Sequence, residues 1–304
     1  MSRGRNLIVV AGATASGKTG LSLELAGRFA APVLSADSRQ IYRGMPIGTA
    51  QPTAEELARA EHHFIAERDI HEDYTCGRYE ADALERLESL FSRHEYVIAV
   101  GGSGLYIDAL CHGLDSFPAV DPELRRTLGL RLRERGLDDL LGELRRRDPV
   151  YYDQVDRANP VRVQRALEVI IQTGMPYSAL RSGRRRERPF RIVKIGTERP
   201  REELYARIDL RTEQMMAAGL EEEARRLYPW RSLNALQTVG YRELFDCFDG
   251  RTTLGEAVEL IKRNTRRYAK RQLTWFRRDG DIAWFPPDDL AAIVGHIRSA
   301  CSSV

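Results

Sequence analysis

The chain has 304 residues, 42% hydrophobic and 30% charged, with 47 basic against 44 acidic side chains and a formal net charge of +3. That apolar and aromatic content excludes a wholly disordered chain, and the length allows one large domain or two smaller ones. Only four of the 47 basic residues are lysine (Lys18, Lys194, Lys262 and Lys270), so an arginine cluster is weak evidence here and a lysine is strong evidence.

The first element, residues 7–11, is a short continuous run of branched apolar side chains and reads as a buried parallel strand. It is too short for the core of a signal peptide, and no later run approaches about 20 apolar residues. The cysteines Cys76, Cys111, Cys247 and Cys301 form no CxxC pair and have no histidine at metal spacing. They suggest neither a zinc site nor a disulfide framework, so a soluble protein of the cytoplasm is expected. Further strands are predicted at 32–36 and 96–100, with weaker signals at 64–66 and 192–195. Helical patterns at 21–29 and 79–91 fall between them, and this alternation implies a parallel α/β sheet flanked by helices.

From about residue 121 the character changes. Residues 122–147 are rich in arginine and place Leu124, Leu128, Leu132, Leu137, Leu140, Leu141 and Leu144 at helical spacing. A second helix over 161–171 stops at Thr173-Gly174-Met175-Pro176. No strand signal occurs between 117 and 188. The domain reading is therefore a core formed by 1–116 and 189–304, with a helical insertion at 117–188. The basic run at 181–194 reads as a solvated loop. Helices resume at 201–228 and 254–278, and the adjacent His62 and His63 read as the start of a strand rather than as metal ligands.

Gly12-Ala13-Thr14-Ala15-Ser16-Gly17-Lys18-Thr19 fits G-x-x-x-x-G-K-[ST], directly after a strand and directly before a helix. Glycines allow the backbone N–H groups to curl around a phosphate at the helix N-terminus. Lys18 adds a point charge, and the Thr19 hydroxyl is placed to coordinate Mg²⁺. A P-loop hydrolase also ends a second strand in a carboxylate that holds the metal. Here the strand 96–100 ends in Gly101-Gly102-Ser103-Gly104, and the acid is instead Asp37, after the second strand. Asp37 either faces the crevice at the sheet's C-terminal edge or caps the following turn.

Asp37-Ser38-Arg39-Gln40-Ile41-Tyr42, running through Gly44-Met45 to Ile47-Gly48-Thr49-Ala50, resembles a segment of the tRNA dimethylallyltransferase (tRNA isopentenyltransferase) family. Further segments agree in the same order: His62-His63-Phe64-Ile65, Gly101-Gly102-Ser103-Gly104-Leu105-Tyr106, and Arg165-Ala166-Leu167-Glu168-Val169. They continue with Thr173-Gly174-Met175-Pro176-Tyr177-Ser178, Val239-Gly240-Tyr241-Arg242 and Ala269-Lys270-Arg271-Gln272-Leu273-Thr274-Trp275-Phe276. The resemblance implies a P-loop NTPase-like fold and transfer of a dimethylallyl group from dimethylallyl diphosphate to N6 of the adenosine 3′ to a tRNA anticodon. Asp37 would be the general base. The P-loop, Lys18, Mg²⁺ on Thr19, Ser103 and Arg211 would receive the departing diphosphate. Threonine is usual in the family where Ser103 stands, so the hydroxyl is kept and the methyl that fixes its rotamer is lost.

The implied RNA contacts are Asp37, Ser38, Arg39, Gln40, Ser103, Arg125, Val161, Arg162, Val163, Gln164, Arg165, Val239, Gly240, Tyr241, Arg242, Lys270, Arg271, Gln272, Trp275 and Arg277. Independently of the resemblance, the helix at 262–278 carries eight basic residues, with Tyr268, Trp275 and Phe276 interleaved and no acid before Asp279. The Gln40 amide is expected to read a base edge, and Arg211 to pair with Asp209 or Glu213 if it is not catalytic. The protein is expected to bind the tRNA anticodon stem-loop and to act as a monomer away from membranes. Other readings of the same residues are a P-loop kinase of small molecules, a prenyltransferase of free adenine nucleotides and a non-catalytic RNA-binding module.

Overall fold

The structure, a computed structural model, describes residues 4–115, 117–181, 183 and 185–302. It divides into two compact units, one built from residues up to 112 together with 187 onward, the other from 113–186. In the first unit the strands are β1 (Asn6–Gly12), β2 (Val33–Ser35), β3 (His62–His63), β4 (Tyr96–Gly101), β5 (Arg191–Thr197) and β6 (Ile282–Phe285). They form a six-stranded sheet in the order β3-β2-β4-β1-β5-β6, with every pairing parallel. The helices α1 (Lys18–Phe29), α2 (Ala54–Ala58), α3 (Cys76–Phe91) and α4 (Gly104–His112) belong to the same unit. The second unit holds α5 (Pro122–Arg135), α6 (Leu137–Arg147), α7 (Pro149–Gln154), α8 (Pro160–Thr173) and α9 (Tyr177–Leu180). The chain then returns to the first unit with α10 (Arg201–Ala217), α11 (Leu220–Leu227), α12 (Tyr241–Phe248), α13 (Leu254–Phe276) and α14 (Leu290–Ser302).

Strand alternation sorts the core. Leu7, Val9 and Ala11 of β1 pack with α3, α4 and α11–α13 on one face, whereas Ile8 and Val10 pack with α1 and α14 on the other. Because both faces are covered, β1 is apolar throughout, which is the pattern that made it legible. All strands run one way, so the ends of β1, β2 and β4 at Gly12, Ser35 and Gly101 lie at one edge of the sheet, where open α/β sheets bind ligands.

The second unit buries Leu128, Leu140, Leu144, Val163, Ala166, Leu167 and Ile170, with Leu124, Leu132, Leu137 and Leu141 packed against them. Buried Asp148 joins its segments by accepting from Tyr151 N at 2.9 Å, Ser178 N at 2.7 Å and Ser178 Oγ at 2.8 Å. Among the described residues no helix is long and apolar enough to cross a membrane.

Two expectations are corrected. The strand signal at 64–66 belongs two residues earlier: pairing is confined to His62–His63, and Phe64 and Ala66 turn away with φ of 64° and 49°. Phe64 is apolar because it fills the core against Tyr79, at 5.4 Å between ring centroids, not because it is a strand residue. The basic run at 181–194 is not wholly a solvated loop. The side chain of Arg188 is largely buried and donates to Leu110 O at 2.9 Å, Ala109 O at 2.6 Å and Glu80 at 2.8 Å, capping the last carbonyls of α4, and the run ends in β5. Ser182 and Arg184 lie outside the described residues. The lone Lys194 is a core residue of β5 whose ammonium donates to Asp279 at 2.6 Å and His112 Nε2 at 2.8 Å.

Candidate active site

β1 ends at Gly12, and the loop to Thr19 returns into α1 through Gly17, whose φ of 99° is open to glycine at little cost. No side chain caps the start of α1, so its first N–H groups open onto a cavity of about 600 Å³. The loop is held from outside. Ser16 Oγ bonds Thr197 Oγ1 at 2.6 Å, Arg199 donates to Ser16 O at 3.1 Å, and Arg207 donates to Ala15 O at 2.9 Å. Gln272 Oε1 accepts from Thr14 N at 2.9 Å. These bonds fix the carbonyls of the loop, while Ser16 N donates to Ala13 O at 3.3 Å, and Thr14, Ala15, Gly17, Lys18 and Thr19 line the cavity at the start of α1, the place of an anion cradle.

Lys18 folds over the loop and donates to Ala13 O at 2.5 Å. Burial, and then the neighbouring Arg211 guanidinium, push its ammonium down to about 7, while Asp37 acts the other way. Arg211 lines the same cavity, its own affinity for a proton lowered by burial and supported chiefly by Asp37. It does not pair with Asp209 or Glu213, which are taken by Arg266 and by Lys262 at 2.9 Å respectively. Lys18 and Arg211 thus face each other's charge across space that an anion would fill.

Asp37 follows β2 and meets both sequence readings. Its Oδ1 accepts from Arg39 N at 2.8 Å and Gln40 N at 3.4 Å, capping the turn, while the residue lines the cavity. Gln40 does not have a free amide. Its nitrogen donates to Ala50 O at 2.9 Å and Thr49 O at 3.4 Å, and its oxygen accepts from Ser35 Oγ at 2.9 Å, so it braces the loop instead of reading a base edge. Ser103 follows the lining residues Gly101 and Gly102 but does not itself line the cavity; its hydroxyl accepts from Ser38 N at 3.0 Å and donates to Ser38 Oγ at 3.3 Å.

Tyr268 was not singled out for the site from sequence. It lines the cavity, and its hydroxyl is pushed up to about 12 by burial and by the Asp37 carboxylate. The available signal was helical phase: Ile261, Thr265, Tyr268 and Gln272 fall on one face of α13, and all four line the cavity. Among the described residues no group of three or more His, Cys, Asp or Glu side chains could hold a metal by itself.

The profile of the IPP transferase family matches residues 40–279. tRNA dimethylallyltransferase 2 of Parabacteroides distasonis is 48% identical over 292 residues, which are 96% of this chain and 98% of that protein. tRNA dimethylallyltransferase 2 of Porphyromonas gingivalis is 51% identical over 93% of this chain and 94% of its own. This chain belongs to the tRNA dimethylallyltransferase family. The full-length tRNA isopentenylpyrophosphate transferase from Bacillus halodurans has the same fold, with a TM-score of 0.72 at 36% identity over 97% of this chain and 98% of that one. A eukaryotic dimethylallyltransferase solved acting on tRNA gives a TM-score of 0.77 at 27% identity over 95% of this chain and 75% of that one. The sheet and cradle are accordingly P-loop NTPase-like.

Within this family member the remaining expected RNA contacts divide by exposure. Arg242, Lys270, Arg271 and Arg277 are exposed, as are Arg125, Val161 and Arg162 in the second unit. Arg277 pairs with Glu198 at 2.7 Å, while Arg125 at 3.1 Å and Arg165 at 3.5 Å share the buried carboxylate of Glu168. Gln164 donates to Arg125 O at 3.3 Å and Glu168 at 3.2 Å. Three side chains are not available. Val163 is in the core of the second unit, Tyr241 is buried with its hydroxyl on Glu223 at 2.7 Å, and Gln272 is buried with both ends of its amide used. Gly240 is also buried, its N–H on Glu243 at 2.8 Å, and Val239 is half-buried beside the cavity. Arg39 donates to Asn234 O at 2.6 Å, and Trp275 to Asp108 at 3.0 Å.

The outer face of α13 and the turn just past its end carry a stripe of Arg263, Arg267, Lys270, Arg271 and Arg278, all exposed and none with an acidic partner among the described residues. Lys262, by contrast, is held between Glu213 at 2.9 Å and Glu259 at 3.0 Å, which removes it from the free charges of the basic helix.

Proposed function

We propose that this protein transfers the dimethylallyl group of dimethylallyl diphosphate to N6 of the adenosine 3′-adjacent to the anticodon of tRNA, releasing diphosphate. The observation that carries the reading is that Lys18 and Asp37 face one cavity of about 600 Å³, an anion cradle and a carboxylate in a member of the dimethylallyltransferase family. An exocyclic amine on a base is a weak nucleophile. Its lone pair forms the new C–N bond while the allylic C–O bond breaks and its electron pair leaves on the diphosphate. The N6 proton passes to the Asp37 carboxylate, a positioned acceptor worth about 10²–10⁴-fold. The loop N–H groups, Lys18 and Arg211 receive the charge that develops on the departing diphosphate. Ser103 acts through Ser38, steadying the turn that presents Asp37.

Mg²⁺ fits the residues present as an ion carried with the donor. Thr19 lines the cavity, and its hydroxyl would supply one oxygen to Mg²⁺ brought in with the donor, whose phosphate oxygens and water would supply the others. When bound it neutralises diphosphate charge. The base must leave its stack to reach Asp37, and the unpaired stripe on α13, with Arg242, Arg125 and Arg162, supplies phosphate contacts that position the RNA. The enzyme works as a monomer in the cytoplasm.

Incubation with Mg²⁺, labelled dimethylallyl diphosphate and either unmodified tRNA, AMP, or ATP with candidate small-molecule acceptors tests the reading. Label is expected in tRNA alone. Transfer only to AMP, or ATP turnover without prenylation, overturns it.

A further inference from the structure

Gln272 sits in the middle of the inward face of α13, and its side chain is 6% exposed. Its Oε1 accepts from Thr14 N at 2.9 Å, in the phosphate cradle, and its Nε2 donates to Gly102 O at 2.9 Å, in the loop that follows β4. The two partners fix the orientation of the amide, since a backbone N–H needs an acceptor and a carbonyl needs a donor. The contact is close-fitting on both sides of Ser103. A Cβ on Gly102 would lie 2.2 Å from Gln272 Nε2, and one on Gly104 would lie 2.3 Å from Trp275 Cδ1. Ser103 itself donates its N–H to Ala36 O at 3.3 Å and accepts from Ser38 N at 3.0 Å, on either side of Asp37. One buried amide therefore joins the loop that would hold the leaving group to the loop that steadies the carboxylate.

We propose that Gln272 is a positioning residue for the transfer, holding the diphosphate cradle and the Ser103–Asp37 turn in register without touching either substrate. The proposal rests on the prenyl-transfer reading above. It differs from the RNA contact that the family resemblance implied for this position, because neither end of the amide is left for a nucleotide. Its physical basis is the cost of misregister: the attacking nitrogen and the allylic carbon must meet at near-attack distance, and a shift of about 1 Å costs up to about 10²-fold in rate.

Two variants of the full-length enzyme test this. Gln272→Met keeps the length and shape of the side chain but makes neither hydrogen bond. Its kcat for label transfer into tRNA should fall roughly 10- to 100-fold, with KM for tRNA unchanged and the melting temperature recorded to show that the protein is folded. Gln272→Glu distinguishes a positioning hydrogen bond from mere packing. As a carboxylic acid it accepts from Thr14 N and donates to Gly102 O, whereas as a carboxylate it repels that carbonyl. Its rate relative to the parent enzyme should therefore rise as pH is lowered from about 8 to about 6, whereas that of Gln272→Met should not.

Inorganic diphosphate alone, measured by calorimetry, gives a reading independent of transfer: its affinity should fall roughly fivefold in Gln272→Met, the equivalent of one hydrogen bond. Parent-level kcat in folded Gln272→Met, or a pH-independent relative rate for Gln272→Glu, overturns the proposal. A rise confined to KM for tRNA does so too, because it makes Gln272 an RNA contact. Absence of transfer by the parent enzyme indicts the prenyl-transfer reading instead, and unchanged diphosphate affinity would then overturn the positioning role on its own.

Discussion

The sharpest consequence of the cradle concerns the charge on Lys18. With its ammonium pushed down to about 7 in the empty site, the lysine is largely neutral at mildly alkaline pH. An anion bound against it restores the charged form, so binding takes up a proton and affinity must fall as pH rises through 7. Between pH 6 and pH 8 the protonated fraction of such a group drops from roughly 90% to roughly 10%, which is about a ninefold loss of affinity. Inorganic diphosphate titrates over the same range and gains charge, so the parent enzyme must be compared with Lys18→Arg, whose guanidinium stays protonated. The ratio of the two affinities, measured by calorimetry in metal-free buffer, cancels the ligand's own ionisation and should fall about ninefold from pH 6 to pH 8. Calorimetry in buffers of different ionisation enthalpy should also register proton uptake at pH 8 by the parent enzyme. A ratio that stays constant to pH 9 would show that Lys18 keeps its ordinary ammonium, and the reasoning from burial and Arg211 would be wrong.

Other outcomes follow from the same geometry. Asp37→Asn keeps the acceptor that caps the turn for Arg39 N and Gln40 N but removes the base, so kcat should fall about 10²–10⁴-fold while diphosphate affinity holds; a fall in affinity with turnover preserved would refute the general-base role. Lys270→Ala should weaken tRNA binding and reduce the slope of log affinity against log salt by about one, whereas Lys262→Ala, already neutralised by Glu213 and Glu259, should leave the slope unchanged. Equal effects at the two positions would count against the sorting of charge on α13. Leu140→Ala, at a fully buried position of the second unit, should cost about 2–5 kcal/mol of stability in denaturant unfolding, and a cost below 1 kcal/mol would mean that the unit does not depend on that core.

What the sequence disclosed depended on how local the signal was. The cradle and β1 occupy neighbouring residues, and each carries its own chemistry: an apolar run, two glycines and a rare lysine. The leucines of α5 and α6 were legible because burial of one helical face leaves a period in the chain. Residues whose roles depend on distant partners were not legible. Gln40, Tyr241 and Gln272 are polar side chains in motifs that suggest RNA, and only the fold shows their hydrogen bonds closing on Ala50, Glu223, Thr14 and Gly102. Tyr268 was hidden for the opposite reason, since a basic helix draws attention to its outward face. Arg211 sits in a helix between two acids that pair elsewhere, so its place in the cavity has no local signature.

The sorting of charge on α13 has a further result in the acid–base behaviour of the whole molecule. Acids take Lys262 and Arg266 out of play, and four of the five side chains left in the free stripe are arginine, which remain charged at any pH the protein survives. The cavity, by contrast, pairs the Arg211 guanidinium with a lysine whose ammonium burial and Arg211 push down to about 7. A polyanion approaching α13 and a diphosphate entering the cavity are therefore held by charges of different permanence, and a modest change in pH loosens the second while leaving the first in place.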